Sequence, residues 1–284
     1  MRNRIEAGLA GLREDPVDPA IWLGTVVLIV YVALRAGGYD AIPRDEVGII
    51  VWWALLLGVA VGALSVELIG IPARVVAFVF VALVAWTALA LSWTPSAERT
   101  MTELARVVTY LGVFGLALAV QRGRRWRPLL FGVTTGIAVV AALAVLSRLH
   151  PQWFPANDVG RVLPGIQIER RLAYPLNYSS ALGAFAAMGL PLLLASTAAA
   201  RTFAGQLLAA AALPVAGLAF YLSSSGTATL VLVAGLVAFI VLTPDRLPKI
   251  ATAGVGAAGT AILGYAVNQR AALDRGLPTP DAKS

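Results

Sequence analysis

RVLPGIQIERRLAYPLNYSSALG, residues 161–183, is the longest polar interruption in an otherwise apolar chain. It sets Arg161, Arg170 and Arg171 just ahead of an apolar run that begins near Ser179, and it puts Asn177 where a helix N-cap would stand. Arginines beside a helix start make a natural anion site. The first N–H groups of a helix lack intrahelical partners, and the macrodipole is positive at that end. At a membrane surface the guest is a phosphate or a diphosphate. The plainer alternative is that these arginines anchor the loop to lipid headgroups.

Outward from this stretch the chain reads as membrane spans, each needing about 20 mostly apolar residues. Nine runs qualify as candidates: Ala20–Leu34, Gly48–Val66, Val75–Trp93, Glu103–Val120, Leu129–Leu149, Ser179–Ala198, Gln206–Leu222, Thr227–Leu242 and Ile250–Val267. Trp22, Trp52, Trp53, Trp93, Trp126 and Trp153 lie near run ends, as interfacial tryptophans do. Pro191 and Pro214 fall inside runs and should kink those helices. Gly and Ala are frequent in the last two runs, which points to close helix packing. The expected fold is therefore all-α, a polytopic transmembrane helix bundle of about nine spans. It has a cytoplasmic head at 1–19, a helical domain at 20–267 with an external loop at 150–178, and an external tail at 268–284. Ile5, Leu9 and Leu12 lie at helical spacing, so the head is read as a short interfacial helix.

Composition agrees with a membrane protein. The 284 residues are 59% hydrophobic and 13% charged, with a mean hydropathy of +0.80. The net charge of +7 comes from arginines clustered between apolar runs. Membrane lipids and anionic lipid-linked substrates, rather than nucleic acid, are the partners this distribution fits. There is no cysteine, so disulfides and thiolate metal sites are excluded, and the single histidine, His150, excludes a multi-histidine metal site. No metal or other cofactor is expected. Lys and Arg totals on the two faces nearly tie. The short loops, above all QRGRRWRP at 121–128, favour a cytoplasmic N-terminus, which leaves the arginines before Ser179 outside and in need of a function.

Two further constellations bear on chemistry. Arg99, Glu103, Arg106 and Tyr110 share one helix face at the start of the fourth run. Arg106 lies inside that run, where a charge is costly and marks function unless it serves as a structural pair with Glu103 between helices. Thr94-Pro95 reads as an N-cap followed by proline at the first helical position, and Thr100 with Glu103 as a second capping box. With the N-terminus inside, the fourth, sixth and eighth runs all start on the outer face, near Thr94, Asn177 and Ser225. If they pack together, Arg99, Arg106, Arg170 and Arg171 line one external anion pocket. SSSGT at 223–227 reads as a tight polar turn, since its serines have no neighbouring base. His150 opens HPQWFP at the membrane edge and is an interfacial residue before it is a catalytic base.

Three blocks carry a resemblance: LSWTPSAERTMTELARVVTYLGVF at 91–114, RRLAYPLNYSSALGAFAAMGLPLLLA at 170–195 and YLSSSGTATLVLVAGLVAFIVL at 221–242. Together they resemble successive parts of the O-antigen ligase and polymerase family of multi-spanning envelope proteins. The resemblance implies transfer of glycan from an undecaprenyl-diphosphate carrier outside the cytoplasmic membrane, without a metal, and arginines that hold the carrier diphosphate. Arg171 matches the arginine before the sixth span. Two departures stand beside it. The family has Ser-Arg-Gly where this chain reads Ser225-Gly226-Thr227. It also has a large histidine-bearing external loop and further spans after a run like Ile250–Val267, where this chain ends as such a loop would begin. The chain is expected to be the N-terminal portion of a longer member, or a degenerate one, with no transfer of its own. The competing readings are a transporter or flippase for an anionic lipid, which broken helices at mid-membrane would favour, and a non-catalytic scaffold that binds lipid-linked glycan. The glycan, the acceptor and the oligomeric state are not specified by these residues.

Overall fold

The structure, a computed structural model, describes residues 17–62, 64, 70–120, 126–150, 153–154, 171–243 and 246–269. Nine α-helices run through the described residues: α1 Val17–Leu34, α2 Ala41–Ala60, α3 Gly70–Ala90, α4 Ala97–Val120, α5 Trp126–Leu149, α6 Ser179–Ala199, α7 Phe203–Ser223, α8 Gly226–Leu242 and α9 Arg246–Asn268. A 3-10 turn, Ala36–Gly38, follows α1, and no strand occurs among the described residues. Six helices (α3 to α7, and α9 from Lys249) are long and apolar enough to cross a bilayer. The protein is all-helical and membrane-embedded. The apolar helices Asp18–Leu34 and Gly226–Leu242 are shorter, and α2 carries Arg44, Asp45 and Glu46 in its first two turns.

Each of the nine apolar runs is a helix, but most helices start earlier than hydropathy alone places them. α2 begins at Ala41 and α4 at Ala97, so polar first turns precede the apolar stretch. Pro43 and Pro72 fit in first turns because the amide hydrogen proline lacks has no intrahelical partner there. α1 begins at Val17, which moves residues 17–19 out of the head and into the first helix. α2 ends at Ala60 rather than Val66. Val61 closes the last turn and Gly62, at φ 75°, takes the left-handed conformation that follows many helix ends. Pro191 and Pro214 sit inside α6 and α7, and neither helix is broken.

The described residues form two compact units. One takes the described residues through Leu28 together with Gly38–Gly132, and the other takes Ile29–Gly37 and the described residues from Val133 onward. In the first, α4 packs between α2 and α3. The α2–α4 contacts climb together along both helices. Gly48 faces Thr109, Gly112 faces Val51 and Trp52, and Gly115 faces Leu55, so the two helices run parallel. Trp52 Nε1 donates to Val108 O at 3.2 Å across this contact, and Phe80 of α3 meets Phe114 of α4 with ring centres 5.5 Å apart.

In the second unit α6 is the central helix, with half of its apolar window buried, and it packs on α7 and α8. Leu182, Leu193 and Leu194 of α6 join Ile137, Ala141 and Ala144 of α5 and Leu213, Ala216 and Ala219 of α7 in one core. α6 and α8 run parallel, with Gly183 against Ala228 at one end and Pro191 against Gly235 further along. α7 and α9 are parallel too: Leu213 faces Gly256, Gly217 faces Thr260 and Tyr221 faces Gly264. Glycines allow these close approaches, as the composition of the last runs anticipates.

Candidate functional site

The candidate site lies at the entry to α6. Leu172 is buried, and its N–H donates to Leu222 O at 3.0 Å, which ties the segment before α6 to the last turn of α7. The Leu172 side chain joins the core, and Arg171 beside it is exposed. Residues 174–177 form a turn in which Pro175 is fully buried and Phe154 meets the Tyr174 ring edge-on at 5.0 Å.

Asn177 is not the N-cap. That position is Tyr178, at φ −140°, and no side chain caps the first turn of α6. Asn177 instead takes φ 56° in the turn before the helix. The turn at 174–177 lies between buried Leu172 and Ser179, and asparagine is among the few residues that readily accept the left-handed conformation.

The start of α8 lies beside the start of α6. A Cβ added at Gly183 would stand 2.5 Å from Ser223 Oγ, 2.9 Å from Ala228 Cβ and 3.2 Å from Ser225 Cβ. Ser224, at φ 47°, ends α7, and Ser225 caps α8 by accepting from Ala228 N at 3.3 Å. SSSGT is thus a tight turn and a helix cap, with Ser223 Oγ donating to Phe220 O and Ser225 Oγ at 3.0 Å from Thr227 Oγ1. Gly226 and Thr227, the first two residues of α8, are exposed. Two parallel helix starts therefore open on the same side of the unit, next to the end of α7 on which Leu172 is pinned. Two helix starts and a guanidinium on a short tether can hold a multiply charged anion.

The other arginines divide differently. Arg99 and Arg106 lie on α4 in the first unit, whereas Arg171 and Asn177 belong to the second. Arg161 and Arg170 lie outside the described residues, as do the head through residue 16, residues 121–125 of QRGRRWRP and the tail from 270. Arg106 Nη1 pairs with Glu103 Oε2 at 3.0 Å within α4, one turn apart, so the pair is local rather than interhelical. Both side chains are more than a third exposed, and Arg99 and Tyr110 on the same face are exposed. The capping assignments at this helix change. α4 starts at Ala97, two residues after Pro95, and Thr94 Oγ1 accepts from Ser96 N at 3.3 Å and from the Thr100 hydroxyl at 2.9 Å. Thr100 lies inside the first turn with its hydroxyl also near Ser96 O, so it forms no box with Glu103.

Sequence reasoning passed over Arg44. It is 7% exposed and is one of the buried residues of α2, with Val47, Gly48, Val51 and Leu55, of which Gly48, Val51 and Leu55 face α4. Its spacing of four from Gly48 was the available signal. Comparison with family models, curated proteins and solved structures found no match.

Proposed function

We infer that this chain is an O-antigen ligase-like membrane protein that handles undecaprenyl-diphosphate-linked glycan at the external face of the cytoplasmic membrane. In this reading all nine helices cross the bilayer, α1, α2 and α8 included, from a cytoplasmic N-terminus. The observation that carries it is the adjacency of the α6 and α8 starts beside the Leu172–Leu222 link, with Arg171 exposed at that edge. A carrier diphosphate there would meet free N–H groups of two helices and one guanidinium, while its prenyl chain stays among apolar helices. Guanidinium grips phosphate oxygens in pairs, which the point charge of lysine does not copy. The unbroken α6 and α7 give the transporter reading no broken helix to build on.

The test is binding of a polyprenyl diphosphate to the purified chain. A charge-assisted hydrogen bond contributes about 1.5–3 kcal/mol, so Arg171→Ala should weaken binding roughly ten- to a hundredfold. Arg171→Lys should recover part of the loss. Equal affinity of Arg171→Ala and parent would leave Arg171 a headgroup anchor and put the scaffold reading first.

A further inference from the structure

Arg44 belongs to the first unit, whereas the α6 and α8 starts belong to the second. Its Nε and Nη2 are buried and have no hydrogen-bond partner among the described residues. The carboxylate beside it, Asp45 Oδ1, is 3.6 Å from Nε, beyond hydrogen-bond reach. Nε and Nη2 form one edge of the guanidinium, the edge that takes two oxygens of a phosphate side by side. A buried guanidinium edge without hydrogen bonds is unfavourable even with a carboxylate 3.6 Å away, and its flexible stem lets it turn outward to find a partner.

Such a partner has a place to lie. Starting at Asp45, next in sequence to Arg44, an open groove of about 340 Å³ runs between α2 and α4. Gly48, Ile49, Trp52, Trp53, Leu56 and Val108 line it, with Asp45 at its head. The lining is almost wholly apolar. Trp52 is fixed there by its bond to Val108 O, while Trp53 is 58% exposed.

We propose that this groove is a lipid site, in which one acyl chain of a bilayer glycerophospholipid lies along α2 and α4 and Arg44 turns its Nε–Nη2 edge to the phosphodiester. The head of the groove is the natural level for a phosphate. Side chains on a helix lean toward its N-terminus, so Arg44 leans toward the start of α2. Asp40, the N-cap there, makes no side-chain cap bond, which leaves the first N–H groups for an anion. Charge selects the occupant. Any phosphate brought here meets Asp45 as well as Arg44, so a singly charged phosphodiester is opposed less than a diphosphate.

The full chain in detergent, titrated with phosphatidylglycerol and examined by native mass spectrometry, tests this. One lipid should be retained more tightly than the rest, and Arg44→Gln should weaken it at least tenfold. Ile49→Trp, placed at an exposed position of the groove wall, should displace the lipid to the same degree while leaving the thermal midpoint unchanged. Diacylglycerol with the same chains should bind the parent at least tenfold more weakly and should not distinguish Arg44→Gln from it. Full retention of phosphatidylglycerol by Ile49→Trp would overturn the proposal even if Arg44→Gln fails to fold. Diacylglycerol binding as tight as phosphatidylglycerol would overturn the role of the phosphate. Displacement by a lower concentration of polyprenyl monophosphate would overturn the assignment to a bilayer lipid.

Discussion

Two glycines of the second unit answer opposite questions. Gly226, the first residue of α8, is exposed, and a Cβ added there meets nothing within 4 Å. It also stands where the resembled family carries an arginine. Gly226→Arg should fold, losing only about 0.3–1 kcal/mol from a cation at a helix start. If the carrier diphosphate binds where we infer, the new guanidinium should tighten it about tenfold in the same binding assay. Unchanged affinity would place the α8 start away from the ligand. Gly183 lies inside the junction itself. Gly183→Ala would drive a methyl into Ser223, Ser225 and Ala228, so it should destabilise by about 1–3 kcal/mol, read as a lower unfolding temperature in detergent.

Helix ends and helix contacts set the next level. Ser225→Ala removes the one side-chain cap of α8 and should cost about 1 kcal/mol. Gly217→Ala collides with Thr260 where α7 meets α9, and Thr260→Ala should relieve part of the resulting loss of thermal stability. The helices themselves were legible, because long apolar runs have no other stable form in a bilayer. Their polar first turns were not, since hydropathy scores the residues before Gly48 and Glu103 as loop. Asn177 shows a second limit. Asparagine suits both an N-cap and a left-handed turn, so its identity could not choose between them. The Leu172–Leu222 bond joins segments far apart in sequence, which no local pattern reveals. Arg44 reads as an interfacial charge, and beyond its spacing from Gly48 no local pattern reveals its burial.

At the scale of the whole chain, orientation can be read directly because no native cysteine interferes. Cysteine placed at exposed Ser224 should react with an impermeant thiol reagent in intact cells, and cysteine at exposed Arg201 should not, since α7 separates them. The opposite pattern would overturn the cytoplasmic N-terminus and move the α6 and α8 starts to the inner face. Labelling of both positions would remove α7 as a span. The parallel pairing of α7 with α9 also bears on how the protein is made. As the nascent chain leaves the ribosome, α6 can meet α8 as soon as α8 is inserted, yet α7 still lacks the neighbour that covers Leu213 and Gly217. That neighbour is translated after α8, so α7 and α9 can pair only once both have been inserted. Until then an insertion chaperone has a defined surface to shield.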